Sequence, residues 1–231
     1  MRALDVGSSI AATLLRLAGG LSVKAAGPRP AQPLTLYDFE SCPFCRKVRE
    51  ALTELDLDAH ILPCPKRGER HRPELLERGG KASFPYLVDP NTGRELYESD
   101  DIVDYLYAEY GDGSARPGPK GMFPVVSGSL ASLLRAQRGT FAKPSTAPAQ
   151  PLELWSFEAS PFCRIVRERL CELELRYLLH NVGKGGARRE AFAARFGKLQ
   201  VPYLLDPNTG KGLYESDEIL DYLDATYGAR A

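Results

Sequence analysis

A chain of 231 residues in which thirty basic and thirty acidic side chains cancel offers no electrostatic case for nucleic acid or an anionic membrane as partner. Its 43% hydrophobic and 26% charged residues suit a globular protein, and no apolar run reaches the ~18 residues of a bilayer span. Five cysteines, an odd number with two of them in a C-x-x-C, point to a reducing, cytoplasmic setting and working thiols rather than a secreted disulfide framework.

In chain order, residues 8–23 form an apolar stretch that Arg16 interrupts, with Asp5 ahead of it. A similar segment ends mid-chain at Leu133-Leu134-Arg135 as the first does at Leu14-Leu15-Arg16. A targeting peptide has no reason to recur there, so both read as amphipathic helices on their own domains. Leu34–Phe39 then reads as a strand, and Pro43 opens a helix carrying Val48, Ala51, Leu52 and Leu55 at helical spacing. Ala59–Leu62 is a second strand, Pro73–Arg78 a short helix, and Pro85–Val88 a third strand. Asp89-Pro90-Asn91-Thr92-Gly93 is turn chemistry, returning the chain into a fourth strand at Arg94–Tyr97. Ser99 is the expected N-cap of a last helix with Ile102, Val103, Tyr105 and Leu106.

This β-α-β-α-β-β-α order occurs twice. Pro30–Leu34 recurs as Pro148–Leu152, Phe39-Glu40 as Phe157-Glu158, Pro85-Tyr86-Leu87 as Pro202-Tyr203-Leu204, and Leu96–Asp100 as Leu213–Asp217. The shift is 118 early and 117 late, too long for a solenoid repeat, so two tandem domains are expected at 1–113 and 120–231. One difference stands out: Ser41-Cys42-Pro43-Phe44-Cys45 becomes Ala159-Ser160-Pro161-Phe162-Cys163.

C-x-x-C at the first strand-to-helix turn, with a Pro opening the third strand, resembles the thioredoxin fold, and Cys-Pro-Phe-Cys resembles glutaredoxins. Phe-Pro-Tyr-Leu and Tyr-Glu-Ser-Asp are similar to the N-terminal domain of soluble glutathione transferases. Ser-Pro-Phe-Cys-Arg-Ile-Val resembles serine-type transferases of the tau class. The whole chain resembles tandem proteins with two transferase-type N-terminal domains. The fold implied is α/β: two tandem thioredoxin-like domains, each a four-stranded mixed sheet flanked by helices, with an extra helix preceding each. A standard transferase would instead carry an all-helical second domain with the electrophile pocket.

Residue chemistry and resemblance together give the candidate site. A thiol at Cys42, before the first helix, faces free N–H groups and the positive helix end, which favour the thiolate. Arg46 and Lys47 are candidates for added positive potential. Cys42 is then the nucleophile and Cys45 the resolving thiol; the alternative is a C-x-x-C that is merely structural or half of a zinc site, for which a second ligand pair at proper spacing is missing. Ser160 either stabilises a glutathione thiolate or caps its helix. The resemblance implies that Pro85 and Pro202 are cis, after Phe84 and Val201, and pair with glutathione as an added strand. It places Phe44 at the glutathione site. Glu98-Ser99 and Glu215-Ser216 are candidates for the γ-glutamyl end, besides capping. Lys81 and Lys198 either reach the glycyl carboxylate or are solvated. Cys171 is expected buried, and Cys64, between two prolines, exposed. His60, His71 and His180 have no ligand spacing, so no metal is expected.

The leading function is a glutathione-dependent thiol–disulfide oxidoreductase of glutaredoxin type acting on small or protein disulfides, its second domain binding glutathione or a partner. The alternatives are a glutathione transferase using Cys42 or Ser160 and a non-catalytic glutathione-binding module. A [2Fe-2S] carrier is less favoured because of Pro43. The packing of the two domains and the oligomeric state are open at this level.

Overall fold

In the computed structural model, which describes residues 19–116 and 138–229, the two repeats build one continuous sheet. The helices expected before each repeat lie outside the described residues, except that 19–23, the end of the first, form a turn and a bridge from Ser22 to Lys184 rather than helix. The first unit runs β1 (Leu34–Asp38), α1 (Pro43–Glu54), β2 (Ala59–Pro63), α2 (Arg72–Gly79), β3 (Tyr86–Asp89), β4 (Arg94–Leu96) and α3 (Ser99–Tyr110). The second repeats it as β5 (Leu152–Ser156), α4 (Pro161–Glu172), β6 (Tyr177–Asn181), α5 (Arg188–Phe196), β7 (Tyr203–Asp206), β8 (Lys211–Leu213) and α6 (Ser216–Tyr227).

Within each unit the sequence signals act where expected. Pro43 and Pro161 occupy the first helical turn, where the missing N–H costs nothing. Each β-hairpin turn closes on a glycine with positive φ, Gly93 and Gly210, after an Asn whose N–H donates to Asp89 or Asp206. The first strand pairs parallel to the second and antiparallel to the third, the thioredoxin-fold arrangement.

The strand order is β4-β3-β1-β2-β6-β5-β7-β8. Each unit's edge strand, β2 or β6, finds its missing neighbour in the other unit, with Ala59 opposite Leu179 and Ile61 opposite Tyr177. The seam satisfies a row of backbone groups that an isolated unit would leave open. It also joins the cores. Leu34, Leu36, Val48, Leu52, Ile102 and Leu106 of the first unit belong to one buried cluster with Leu152, Leu154, Val166, Leu170, Ile219 and Leu223 of the second. That cluster holds α1, α3, α4 and α6 against one sheet face. Two smaller clusters, around Tyr37 and Leu75 and around Trp155 and Phe192, seat α2 and α5 on the other.

Two sequence expectations change. Cys64 is fully buried rather than exposed, because its N–H continues the strand pairing to the carbonyl of Asp38. Neither Ser99 nor Ser216 is an N-cap: Glu98 and Glu215 hold that position, and no side chain makes a capping hydrogen bond there. Cys171 is buried as expected.

Candidate active site at the start of the first helix

Strand register assembles the first site. Tyr37 pairs with Tyr86, which sets Pro85 beside the end of β1; Leu87 pairs with Leu96, which sets Glu98 beside Pro85. The Phe84–Pro85 peptide is cis, as is Val201–Pro202. Phe84 meets Phe39 edge to face at 5.7 Å, next to the loop that carries Cys42. Lys47 of α1 ion-pairs with Asp100 in the first turn of α3, so the two helix starts are tied. Hence Cys42, Phe44, Phe84, Pro85, Glu98 and Ser99 share one margin of the sheet.

Cys42 is the N-cap of α1, and its sulfur accepts the Cys45 N–H at 3.4 Å. The neighbouring Cys45 thiol, the N–H groups of Cys45 and Phe44, and the Arg49 guanidinium favour its thiolate. Against burial, they hold the Cys42 thiol below the ordinary range. Cys45 is driven far the other way, by burial first and then by Cys42 and the Asp38 carboxylate. Cys42 is 5% exposed and Cys45 0%, so an incoming sulfur meets Cys42 first. Phe44, 44% exposed, forms an apolar rim.

The second unit reproduces the geometry with an oxygen. Ser160 caps α4 and accepts the Cys163 N–H at 3.3 Å. By the same register Val201, Pro202, Glu215 and Ser216 line the corresponding margin. The link between helix starts differs, since Ile165 stands where the first unit has Lys47. Glu215 accepts a hydrogen bond from Gln200, whereas Glu98 sits at φ 62, a conformation costly for a residue other than glycine.

Four of the candidate cations have other neighbours in this structure. Lys81 and Lys198 are exposed and lie over the rings of Tyr97 and Tyr214, at 4.4 and 4.1 Å. Arg46 pairs with Glu50 and Lys47 with Asp100, so neither is spent on Cys42. The guanidinium that does act on Cys42 is Arg49, which the sequence reading did not single out. Arg49 is 1% exposed, donates to Asp38 and to the Glu40 carbonyl, and anchors the loop from below. Its signal was a charge beside the apolar positions of α1, repeated as Arg167 in α4. No cluster of three or more potential metal ligands occurs among the described residues, and no helix there is long and apolar enough to cross a membrane.

These features define a thioredoxin-fold protein with a helix-capping thiol, a cis proline beside it and an acidic-Ser pair across the sheet. The family sequence model described as "Glutathione S-transferase, N-terminal domain" matches residues 36–120 and 154–231. The chain belongs to that family, and glutathione is the ligand its members are named for. The glutathione S-transferase-like protein tpcF of Aspergillus fumigatus is 33% identical over 79 residues, 34% of each chain. Among solved structures, a Bombyx mori glutathione transferase is 34% identical over 36% of this chain and 38% of its own, with a TM-score of 0.33. Glutathione transferase E6 of Drosophila melanogaster is 30% identical over 35% and 36%, with a TM-score of 0.31. The chain thus spans about a third of the length of these relatives.

Proposed function

We propose that this protein is a cytoplasmic glutathione-dependent thiol–disulfide oxidoreductase of glutaredoxin type, organised as two domains at 1–113 and 120–231. The observation that carries the reading is the pairing at α1: a helix-capping Cys42 whose thiolate is favoured, beside a buried Cys45 whose thiol is kept protonated. That split assigns attack to Cys42 and resolution to Cys45. Cys42 thiolate attacks one sulfur of a small or protein disulfide, forming a mixed disulfide and releasing the other half as thiolate, which takes a proton. Cys45 then loses its proton and attacks the Cys42 sulfur, closing the Cys42–Cys45 disulfide and releasing the second thiol. Two glutathione molecules restore the dithiol, leaving as oxidised glutathione; with one glutathione resolving the mixed disulfide directly, Cys45 is bypassed.

Glutathione would lie along the margin formed by Phe44, Phe84, Pro85, Glu98 and Ser99, its backbone adding to the sheet beside Pro85. Lys81 would leave the Tyr97 ring for the glycyl carboxylate. In the second unit Val201, Pro202, Glu215, Ser216 and Lys198 offer the same set. The test is turnover of a mixed disulfide between glutathione and a small thiol. The reading expects Cys42→Ser to abolish it and Cys45→Ser to retain it; undiminished turnover in Cys42→Ser would refute it.

Family membership and the Ser160 cap geometry favour a second reading, a glutathione transferase. There Ser160 donates a hydrogen bond to a glutathione thiolate and Cys42 is not needed. Conjugation of a small electrophile that is lost in Ser160→Ala and kept in Cys42→Ser would establish it instead.

A further inference from the structure

Each of the two site loops is held in part by the opposite unit. Glu40, two residues before Cys42, receives its carboxylate partner from the second unit: Arg167 of α4 bonds both its oxygens, at 3.1 and 3.2 Å. Reciprocally, Glu158, two residues before Ser160, is held by Arg49 of α1 at 3.1 Å. Arg167 also reaches Glu158 at 2.8 Å and Arg49 reaches Glu40 at 3.4 Å, so the four charges form one connected group that spans the two units. All four are nearly inaccessible to solvent.

The segments that lead into each unit cross over as well. Thr140, ahead of β5, donates its hydroxyl to Ser41 beside Cys42 at 2.6 Å. Gly20, ahead of β1, accepts the N–H of Ala159 beside Ser160 at 3.1 Å. Gly20 and Gly139 both take φ 71 and press on the two glutamates. A Cβ would fall 2.7 Å from the Glu158 Cβ in one case and 2.9 Å from the Glu40 Cβ in the other. The Glu40 N–H meanwhile donates to Cys171 of α4 at 3.4 Å.

We propose that Arg167 is a positioning residue for Cys42: acting through Glu40, it fixes the loop and the charge balance around the nucleophile, so the dithiol site is complete only with the second unit docked. This gives the Ser160 unit a task that needs no chemistry of its own. The inference rests on Cys42 being the working thiol, as proposed above. An unbalanced carboxylate beside a thiol disfavours the thiolate, and removing that carboxylate favours it. The charged groups facing Glu40 are Arg49 and Asp38 from its own unit and Arg167, Arg164 and Glu158 from the other, with the titratable Cys171 and Tyr177 of the second unit beside them. Those acting on Cys42 are Cys45 and Arg49.

The test is the pH dependence of Cys42 alkylation in the full chain, resolved by mass spectrometry of the Cys42 peptide. Glu40→Gln is expected to move the Cys42 midpoint down and Arg167→Gln, which removes the positive charge held on Glu40, to move it up, each by about half a unit, a threefold change in thiolate. Glu40→Gln with Arg167→Met together should return it toward the wild-type value. Loosened structure alone would not move the two single variants in opposite directions. Unchanged midpoints, or midpoints shifting the same way, would overturn the proposal; should the Met variant fail to fold, Glu40→Gln and Arg167→Gln still decide. The absolute wild-type midpoint is a separate quantity that tests the thiolate reading itself.

Discussion

Cys42 and Ser160 occupy the same cap, accept the same N–H from the residue three positions on, and precede the same Pro-Phe-Cys. Within the cap itself the contrast is therefore confined to the sulfur. With Arg167 in the place that Arg49 holds in the first unit, Ser160→Cys should create a second low-pKa thiol beside Cys163. Alkylation near neutral pH would then modify one more cysteine than in the wild type. If the introduced thiol proved as inert as the buried Cys64 and Cys171, the second margin would have lost the field as well as the sulfur. The reactive pair was legible in the sequence because C-x-x-C before a helix carries its own chemistry. Arg49 was not, because a charged residue next to an apolar stripe reads as solvated until its partners, Asp38 and Glu158, are brought beneath it. Cys64 misread for a related reason: its two flanking prolines suggest a loop, yet its N–H joins the sheet.

The helices and strands were set by local signals: Pro at the helix starts, Asp-Pro-Asn-Thr-Gly at the hairpins, apolar spacing within α1 and α4. Their anchoring was less visible. In each unit the aspartate that ends β3 or β7 accepts two tyrosine hydroxyls from the last helix: Tyr105 and Tyr110 on Asp89, Tyr222 and Tyr227 on Asp206. Tyr110→Phe should lower stability by about 1–2 kcal/mol, since it leaves a buried acceptor short of one donor. Chemical denaturation measures this; an unchanged midpoint would mean that Tyr105 and Asn91 together satisfy the carboxylate. Gly139→Ala should cost about 1–2 kcal/mol through its positive φ and its crowding of Glu40. It should also slow Cys42 alkylation, whereas Gly93→Ala, at a hairpin tip with open space around it, should not.

At the scale of the molecule, an eight-stranded sheet replaces two four-stranded ones. That was not legible, because an edge strand looks the same in sequence whether it meets solvent or a partner; β2 and β6 reveal their pairing only through register. Burying a charge cluster at this junction makes stability pH-dependent in two opposed ways. Burial raises the Asp38 carboxyl to about 6, with Arg49 opposing and Glu40 adding to the effect. The stability it contributes is complete below its unfolded value near 4 and is lost as pH rises through about 6. Asp38→Asn should therefore gain on the wild type by roughly 3 kcal/mol between pH 4 and 7, at ~1.4 kcal/mol per unit. Glu158 behaves oppositely: burial resists its charge, but Arg167, Arg49 and Arg46 outweigh burial and hold it down at about 2. Its contribution is present above the unfolded value near 4.5 and is lost as pH falls through about 2, so the cost of Glu158→Gln should shrink over that window. Unfolding followed against pH, variant beside wild type, separates the two.

The measurement that bears most directly on the function proposed is the rate of Cys42 alkylation against pH in the unmodified protein. The Cys45 thiol, the N–H groups of Cys45 and Phe44 and the Arg49 guanidinium should bring its midpoint below the ~8.5 of a free cysteine. A midpoint at or above that value would contradict an activated thiolate, and with it the assignment of Cys42 as nucleophile.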